Sequence, residues 1–536
     1  MGGATPRGVS SLSSSKKSKF DTTAAIEATH TDELVIALCG PIGSPIHSAA
    51  NAIKSKLEED FGYEPRDIIT LSRLIEKYGR TIPPQNGFER KRALIEAGDE
   101  LRGKYGAGVL AELAINEIAI ERDIERERSG KNFHARRRVC HIIDSIKNQQ
   151  ELDVLRLVYR DMLYFIGVYS PLPTREKSLA SDGLSQTEVH SLIDIDSGEE
   201  LKIINRNTGE EIKYGQTVED TFPQADFFLR IDSDTDTQIR TRVERFLQII
   251  LGTRIWTPTA AETAMYAAAS AAGNSACLSR QVGAALCDEN GELISVGWND
   301  VPRFGGSLYS ADEKADPRSE NDKRCWNLSG GVCNNDQEKK RLSELIVDEL
   351  INGSVLVSEN RERAKNLVLG NKKIRGLIEF SRSIHAEMQA ILAAGHLAGN
   401  RIRGGKLYCT TYPCHSCARH IVAAGIAEVY YIEPYRKSLA TKLHSDSITE
   451  DENDAGKLRI LPYDGVAPSR FLKLFRTLPD SRKSEGKMLK VDPKTAAPRF
   501  DKTLAALPEL EAFVVKGLKE KRIFDSVEPR KEAGVE

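Results

Sequence analysis

The sequence has few cysteines, few aromatic residues and no excess of either charge. Nine cysteines in 536 residues are too few for a disulfide framework, which excludes a small cystine-stabilised fold. The 76 basic and 78 acidic residues leave a net charge of −2, so the chain offers no overall basic field to a nucleic acid. The longest apolar runs, such as Leu34–Cys39, are too short to cross a bilayer. Because Met1–Phe20 has no apolar core typical of a secretory signal, we expect a cytoplasmic protein without a membrane partner.

The length and local composition predict two domains between two tails. A chain of 536 residues exceeds a single ordinary core. Residues 1–28 lack the apolar surface needed to offset the entropy of ordering, so we interpret them as a disordered leader. The domains are predicted at residues 29–252 and 257–475, and residues 476–536 are interpreted as a C-terminal tail.

The N-terminal domain opens with a pattern typical of doubly wound α/β folds. The buried-strand run Leu34–Cys39 leads into Gly40-Pro-Ile-Gly43-Ser44 and then into a helical pattern. Backbone amides at Gly40, Gly43 and Ser44 indicate a phosphate-binding loop, with a regulatory nucleotide as the expected ligand. No Lys-Ser/Thr pair follows the second glycine, which argues against ATP hydrolysis and leaves nucleotide binding open.

Further elements are predicted from periodicity along both domains. Residues 175–225 are polar and are interpreted as loops or insertions, as are residues 302–340. A β-hairpin is predicted around the turn Asp288–Gly291. The remaining predicted strands cover 138–144, 163–169, 227–231, 406–410 and 429–432, and the main predicted helices cover 108–128, 259–273, 381–394 and 414–424.

The chemistry is concentrated in His385-Ala386-Glu387 and Cys414-His-Ser-Cys417. One imidazole and two thiolates provide three ligands for a catalytic zinc ion and leave a position for water. Two cysteines three residues apart at a helix start place both sulfurs on one face, where the helix dipole favours thiolates. Glu387 lies too close to His385 to be an easy fourth ligand, but it is well placed to move a proton. A structural zinc knuckle is the alternative, although it needs a closed set of four ligands.

These motifs resemble the cytidine deaminase-like superfamily, and within it the deoxycytidylate deaminases. Besides the two zinc motifs, the resemblance rests on Arg280–Ala284 and Gly297–Asn299, in the family's order. It implies a C-terminal α/β/α sandwich that deaminates cytosine with Zn²⁺. It further implies that Asn299 contacts the deoxyribose, that the Ala386 amide holds the cytosine carbonyl and that the Tyr412 carbonyl receives the amine. Arg280 is either a phosphate contact or a solvated surface group.

The larger architecture resembles bacterial anti-phage deoxycytidine nucleotide deaminases that carry an N-terminal P-loop kinase-like domain. Residues 431–446 and 465–472 carry this resemblance. It implies conversion of dCTP or dCMP to the deoxyuridine nucleotide, and assembly into a homo-oligomer. The candidate phosphate contacts are Lys437, Lys442, His444 and Arg470. A polynucleotide-editing deaminase and a housekeeping dCMP deaminase remain the alternatives.

Two further cysteines raise the prospect of a second metal site. Cys325 and Cys333 flank a glycine-rich turn, near the place where some deoxycytidylate deaminases hold a structural zinc ion. With two evident ligands, free thiols are the alternative. Cys277 and the other cysteines beside apolar runs are interpreted as small core residues.

Overall fold

The fold is described from a computed structural model. The described residues are 30–64, 66–84, 87–130, 137–196, 203–204, 211–212, 216–232, 235–311, 322–328, 330–434, 438–477, 482–499 and 507–526. The predicted leader at residues 1–28 lies outside them. Within these ranges, no helix is both long and apolar enough to span a membrane.

The N-terminal half is built on a parallel sheet. The strands of this half are β1 (Leu34–Cys39), β2 (Ile69–Thr70), β3 (Cys140–Asp144), β4 (Leu163–Tyr169), β5 (Ile203–Ile204), β6 (Glu211–Ile212) and β7 (Phe227–Arg230). Its helices are α1 (Ile46–Glu59), α2 (Leu71–Tyr78), α3 (Phe88–Tyr105), α4 (Val109–Ser129), α5 (Gln149–Tyr159), α6 (Leu172–Ser181), α7 (Gln186–Asp196), α8 (Val218–Thr221) and α9 (Thr235–Ile250). Strands β2, β3, β1, β4 and β7 lie side by side in that order, and all are parallel. The continuous apolar runs are buried on both faces, as parallel strands require.

The C-terminal half contains a second, mixed sheet. The strands of this half are β8 (Gly283–Cys287), β9 (Leu293–Trp298), β10 (Lys406–Thr411), β11 (Glu428–Glu433), β12 (Ile448–Thr449), β13 (Leu458–Pro462), β14 (Gly465–Val466), β15 (Lys483–Ser484) and β16 (Lys487–Met488). Its helices are α10 (Ala260–Ala272), α11 (Asn334–Asn352), α12 (Arg361–Gly370), α13 (Lys372–Arg375), α14 (Ala386–Ala398), α15 (His415–Ala423), α16 (Ala440–Leu443), α17 (Pro468–Phe475) and α18 (Leu507–Glu520). The sheet order is β12-β13-β11-β10-β8-β9, with β8 antiparallel to both neighbours and the other pairs parallel.

Helices cover both faces of this second sheet. Alternate residues of β8 point to opposite sides: Ala284 packs in one core with α14 and α15, and Ala285 packs in another with α10. Small residues on α14, including Ala386 and Ala390, let that helix lie directly on the sheet. The arrangement holds the N-termini of α14 and α15 at the same end of the sheet.

The two halves share structure across their predicted boundary. Strand β14 returns to the N-terminal sheet and pairs antiparallel with β7. One apolar core contains side chains from the N-terminal sheet, from α10 and from the second sheet. Glu262 of α10 receives a bidentate bond from Arg245 at 2.7 and 2.8 Å, and also accepts the Val466 amide at 2.9 Å. The domain limits themselves stay a prediction.

Residues beyond Phe475 also contact the N-terminal half. Helix α18 packs on α4, where Arg122 bonds Glu511 at 2.9 Å and Glu33 at 2.6 Å. All three side chains are buried. Burial alone would raise the pKa of Glu33, but its bond with His141 and the Arg122 charge hold that pKa well below its usual range.

Two stretches predicted as irregular contain helices. Residues 175–225 hold most of α6, together with α7 and α8, and the insertion at 302–340 ends in the first turns of α11. Apolar residues of α6 and α7, including Leu179 and Leu192, are buried against Ile95 of α3. This packing stabilises helices whose overall composition is polar.

Candidate active site

Three side chains converge at the N-termini of α14 and α15. His385 is the N-cap of α14 and Cys414 the N-cap of α15, and Cys417 lies in the first turn of α15. The His385 Nδ1 atom lies 3.3 Å from each sulfur. Within the described ranges, this is the one group of three or more His, Cys, Asp or Glu residues arranged to hold a metal ion.

The donor set fits a zinc ion. Nitrogen and sulfur ligands of one tetrahedral zinc lie about 3.6 Å apart, close to the observed separations. A hydrogen bond with the Cys417 thiol lowers the pKa of Cys414 to about 4, in spite of its burial. The hydrogen bond with Cys414 in turn raises the pKa of His385 to about 9. Both shifts reflect the close contact of the three groups, and the bond with Cys414 and burial raise the pKa of the Cys417 thiol.

Glu387 lies beside this group in the first turn of α14. Its side chain is 4% exposed, and burial raises its pKa while the neighbouring His385 charge lowers it. A buried carboxyl group in this position can accept a proton and return it. The site therefore combines three candidate metal ligands with a candidate acid–base group.

Close packing of α14 on β9 sets the position of these groups. At Gly297 a Cβ atom would lie 2.4 Å from both the Ala386 oxygen and the Ala390 nitrogen. Ser295, two residues earlier, donates to the Ala390 oxygen at 2.8 Å. Only glycine permits this approach, so Gly297 determines how near the start of α14 comes to the sheet.

A cavity of about 190 Å³ opens over His385 and Cys414, with Glu387 in its wall. Four of the predicted substrate contacts line it: Asn299, Ala386, Tyr412 and Arg280. The Asn299 amide accepts from the Val282 nitrogen at 2.7 Å and donates to the Arg280 oxygen at 2.8 Å. Each polar atom of Asn299 keeps one further hydrogen-bonding position for a ligand.

Of the predicted phosphate contacts that the structure describes, Arg280 lines this cavity and the others do not. Arg280 forms an ion pair with Glu433, and Arg470 bonds Asp226 at 2.7 Å across the interface of the two halves. Lys442, His444 and Arg470 are absent from the cavity lining described here. Lys437 lies outside the described residues.

Three cysteines line the same cavity away from the metal ligands. Cys325 and Cys333 are joined there by Cys277, which the sequence interpretation assigned to the core but which is partly exposed. Cys325 accepts from the Asn334 amide, and the Cys333 sulfur lies 3.6 Å from the Ser279 hydroxyl. Among the described residues these thiols do not gather closely enough to form a metal-binding group.

The glycine loop of the N-terminal half is bonded within the chain. The Ile42 amide donates to Asp196 at 2.7 Å, and Lys147 bonds both Asp196 and the Gly40 oxygen at 2.8 Å. Gly43 has a φ of 85°, and a Cβ there would lie 2.9 Å from Arg175. The Asp196 carboxylate thus bonds an amide of this loop, although not one of the three that the sequence assigned to a phosphate, and the Ser44 amide donates to the Pro41 oxygen at 3.1 Å.

A second cavity, of about 470 Å³, lies between the two sheets. It borders Pro41 after β1 and Tyr169 at the end of β4, which is the edge where doubly wound sheets bind ligands. Tyr412 lines this cavity as well as the first, and its hydroxyl donates to Glu450 at 3.0 Å. One residue thus connects the two cavities.

Comparison with known proteins identifies relatives of the C-terminal half. Residues 258–433 match the model of the cytidine and deoxycytidylate deaminase zinc-binding region. The deoxycytidylate deaminase of Enterobacteria phage T2 is 30% identical over 180 residues, which cover 33% of this chain and 82% of the phage protein. ComE operon protein 2 of Bacillus subtilis (strain 168) is 46% identical over 56 residues, 10% of this chain and only 29% of that relative's length. A solved dCMP deaminase from cyanophage S-TIM5, in complex with dCMP and dUMP, is 19% identical, with a TM-score of 0.23 and coverage of 39% of this chain and 99% of the phage chain.

Proposed function

Because this chain belongs to the cytidine and deoxycytidylate deaminase family, we propose that it is a zinc-dependent hydrolase that deaminates free deoxycytidine nucleotides. The reaction converts dCTP or dCMP and water to dUTP or dUMP and ammonia. The observation that carries the proposal is the convergence of His385, Cys414 and Cys417 beside buried Glu387. A structural zinc site would have no use for that carboxyl group.

Glu387 is the proton carrier of the proposed mechanism. His385, Cys414 and Cys417 would hold the zinc ion, which supplies Lewis-acid activation of water when bound. Glu387 takes a proton from the attacking water and delivers it to the cytosine ring nitrogen N3. As the C4–N bond breaks, Glu387 transfers the second proton of the same water to the departing amine, which leaves as ammonia.

Three further residues would orient the substrate. The Ala386 amide donates to the cytosine carbonyl, the Tyr412 carbonyl receives the exocyclic amine, and Asn299 contacts the deoxyribose. The location of all three in the wall of the cavity supports this assignment.

For the N-terminal half we propose a P-loop-like domain that binds a regulatory nucleotide. The parallel sheet, the glycine turn after β1 and the cavity at the strand ends support this. An incoming phosphate at the loop would displace Asp196 from the Ile42 amide. Tyr412 offers a direct contact between such a ligand and the substrate cavity.

A wider biological role is proposed from the resemblance of residues 431–446 and 465–472 to anti-phage deaminases. We propose that the enzyme depletes deoxycytidine nucleotides during phage infection and acts as a homo-oligomer.

The test is to assay purified, zinc-loaded protein with dCTP, dCMP, CTP and a cytosine-containing oligonucleotide, with ammonia and uracil products measured. We expect turnover of the deoxycytidine nucleotides. Turnover of the oligonucleotide alone would favour a polynucleotide-editing enzyme, and turnover of dCMP without dCTP a housekeeping dCMP deaminase.

Variants test the assigned roles in the same assay. Glu387→Ala should retain zinc, measured by elemental analysis, and lose activity. Cys414→Ala should lose both. Exposed Glu359→Gln serves as the matched control and should behave as the wild type. Activity surviving in Glu387→Ala would refute the proton-carrier role.

A further inference from the structure

Two arginines line the substrate cavity, and they differ in their partners. Arg280 is ion-paired with Glu433. Arg382 donates to the Lys323 backbone oxygen at 3.0 Å, and no carboxylate within the described ranges pairs with it. A guanidinium has five N–H donors, so Arg382 keeps N–H groups that can bond a ligand besides the Lys323 oxygen.

Neighbouring groups hold Arg382 firmly in the wall. The Ser381 hydroxyl accepts from the Ser383 amide at 3.2 Å, which forms a tight turn at this residue. The Ile384 amide then donates to the Asp300 oxygen at 3.0 Å, just before His385. The backbone of Arg382 is therefore tied to the segment that carries the first metal ligand.

A third arginine, Arg324, holds the segment that contains Lys323, the partner of Arg382. Arg324 is buried and bonds Asp322 at 2.7 Å and Asp300 at 3.5 Å. These bonds hold the segment whose Lys323 oxygen accepts from Arg382. The charge of Arg324 is compensated by acidic partners, whereas that of Arg382 has no acidic partner among the described residues.

We propose that Arg382 binds the phosphate of the nucleotide substrate. The inference rests on the proposed function, because a nucleotide whose cytosine reaches His385 would keep its phosphate within the cavity that Arg382 also lines. Ser279 and Ser381 line the same cavity. A partly buried guanidinium that no carboxylate of the described residues pairs with favours a bidentate anion such as phosphate.

The proposal predicts selectivity for nucleotides over nucleosides. A hydrogen bond to a charged group corresponds to a factor of about 10 to 100 in affinity. Arg382→Gln should therefore lower kcat/KM for dCMP and dCTP by about 10- to 100-fold, mainly through KM. Turnover of deoxycytidine should be unchanged. The kcat/KM of Arg382→Lys for nucleotides should lie between those of wild type and Arg382→Gln, because lysine keeps the positive charge but cannot form the bidentate bond of a guanidinium.

The experiment compares dCMP, dCTP and deoxycytidine for wild type, Arg382→Gln, Arg382→Lys and exposed Arg363→Gln as the matched control. Calorimetric binding of dUMP and deoxyuridine to the zinc-loaded proteins gives the same comparison without turnover. An unchanged ratio of nucleotide to nucleoside binding in Arg382→Gln, with zinc content and melting temperature intact, would overturn the inference. Failure of the wild type to deaminate any cytosine nucleotide would instead refute the proposed function.

Discussion

Replacement of Gly297 by alanine tests how the active site is positioned. The added Cβ would lie 2.4 Å from two backbone atoms of α14, whereas ordinary contacts begin at 3.4 Å. Because neither the strand nor the helix backbone can rotate away, α14 must withdraw by about 1 Å. His385 and Glu387 are at the start of that helix and move with it.

The expected loss is large for one methyl group. A misplacement of about 1 Å costs roughly 100-fold in rate, and overpacking costs about 1–3 kcal/mol in stability. We expect Gly297→Ala to lower kcat/KM for the preferred deoxycytidine nucleotide by about 100-fold while the protein remains folded. Steady-state kinetics, zinc content and thermal unfolding measure the three effects separately.

Gly395→Ala is the matched control on the same helix. A Cβ there meets nothing within 4 Å, and the position is exposed. Its activity should be unchanged and its stability should rise by about 0.5–1 kcal/mol, because alanine loses less backbone entropy than glycine in a helix. Full activity and wild-type stability in Gly297→Ala would refute the argument that this contact fixes the site.

Three further substitutions test buried charges. Glu511→Gln removes one of the two carboxylates that bond Arg122, and should lower the free energy of unfolding by about 3 kcal/mol in urea denaturation. Glu262→Gln breaks the bidentate bond with Arg245 between the two halves and should cost a similar amount, again about 3 kcal/mol. Burial raises the pKa of Asp99 to about 6, so the folded state holds this proton more tightly than the unfolded chain, and stability falls as pH rises from about 4 to 6. Asp99→Asn should remove that component, up to about 3 kcal/mol, from the pH profile of urea denaturation.

The exposed pair of Lys516 and Glu520 provides the control for these variants. Its atoms lie 3.9 Å apart, with both side chains at least 70% exposed. Glu520→Gln should leave the urea midpoint unchanged. Equal effects of Glu520→Gln and Glu511→Gln would contradict the role given to burial, and a pH profile in Asp99→Asn that matches wild type would contradict the raised pKa.

Sequence periodicity predicted the strands well where they are continuous and apolar. Residues 34–39 and 163–169 form strands with the predicted bounds, and the hairpin around Asp288–Gly291 is also confirmed. These segments carry their own signal, because buried parallel strands need unbroken apolar runs and hairpins need a local turn. The helix predicted at 381–394 begins only at Ala386, since the Ser381 hydroxyl bonds the backbone ahead of it.

The spacing of short motifs predicted the three candidate metal ligands that the structure brings together, but it did not predict the rest of the cavity. His385, Cys414 and Cys417 follow from short motifs whose residues are adjacent on helix ends. Cys277 reaches the cavity through the packing of segments distant in sequence. Arg382 lies only three residues before His385, but no local pattern separates it from a surface arginine. Likewise, the pairing of Arg470 with Asp226 depends on how the two halves meet.

The return of β14 to the N-terminal sheet has a consequence for whether the chain can be divided into two stable fragments. A fragment that stops near residue 257 would leave β7 as an open edge, and a fragment that starts there would carry a strand without its sheet. Since both sheets also share one apolar core, the chain should melt in a single cooperative transition. We therefore expect residues 257–536 of this chain, expressed alone, to be less stable than the full chain.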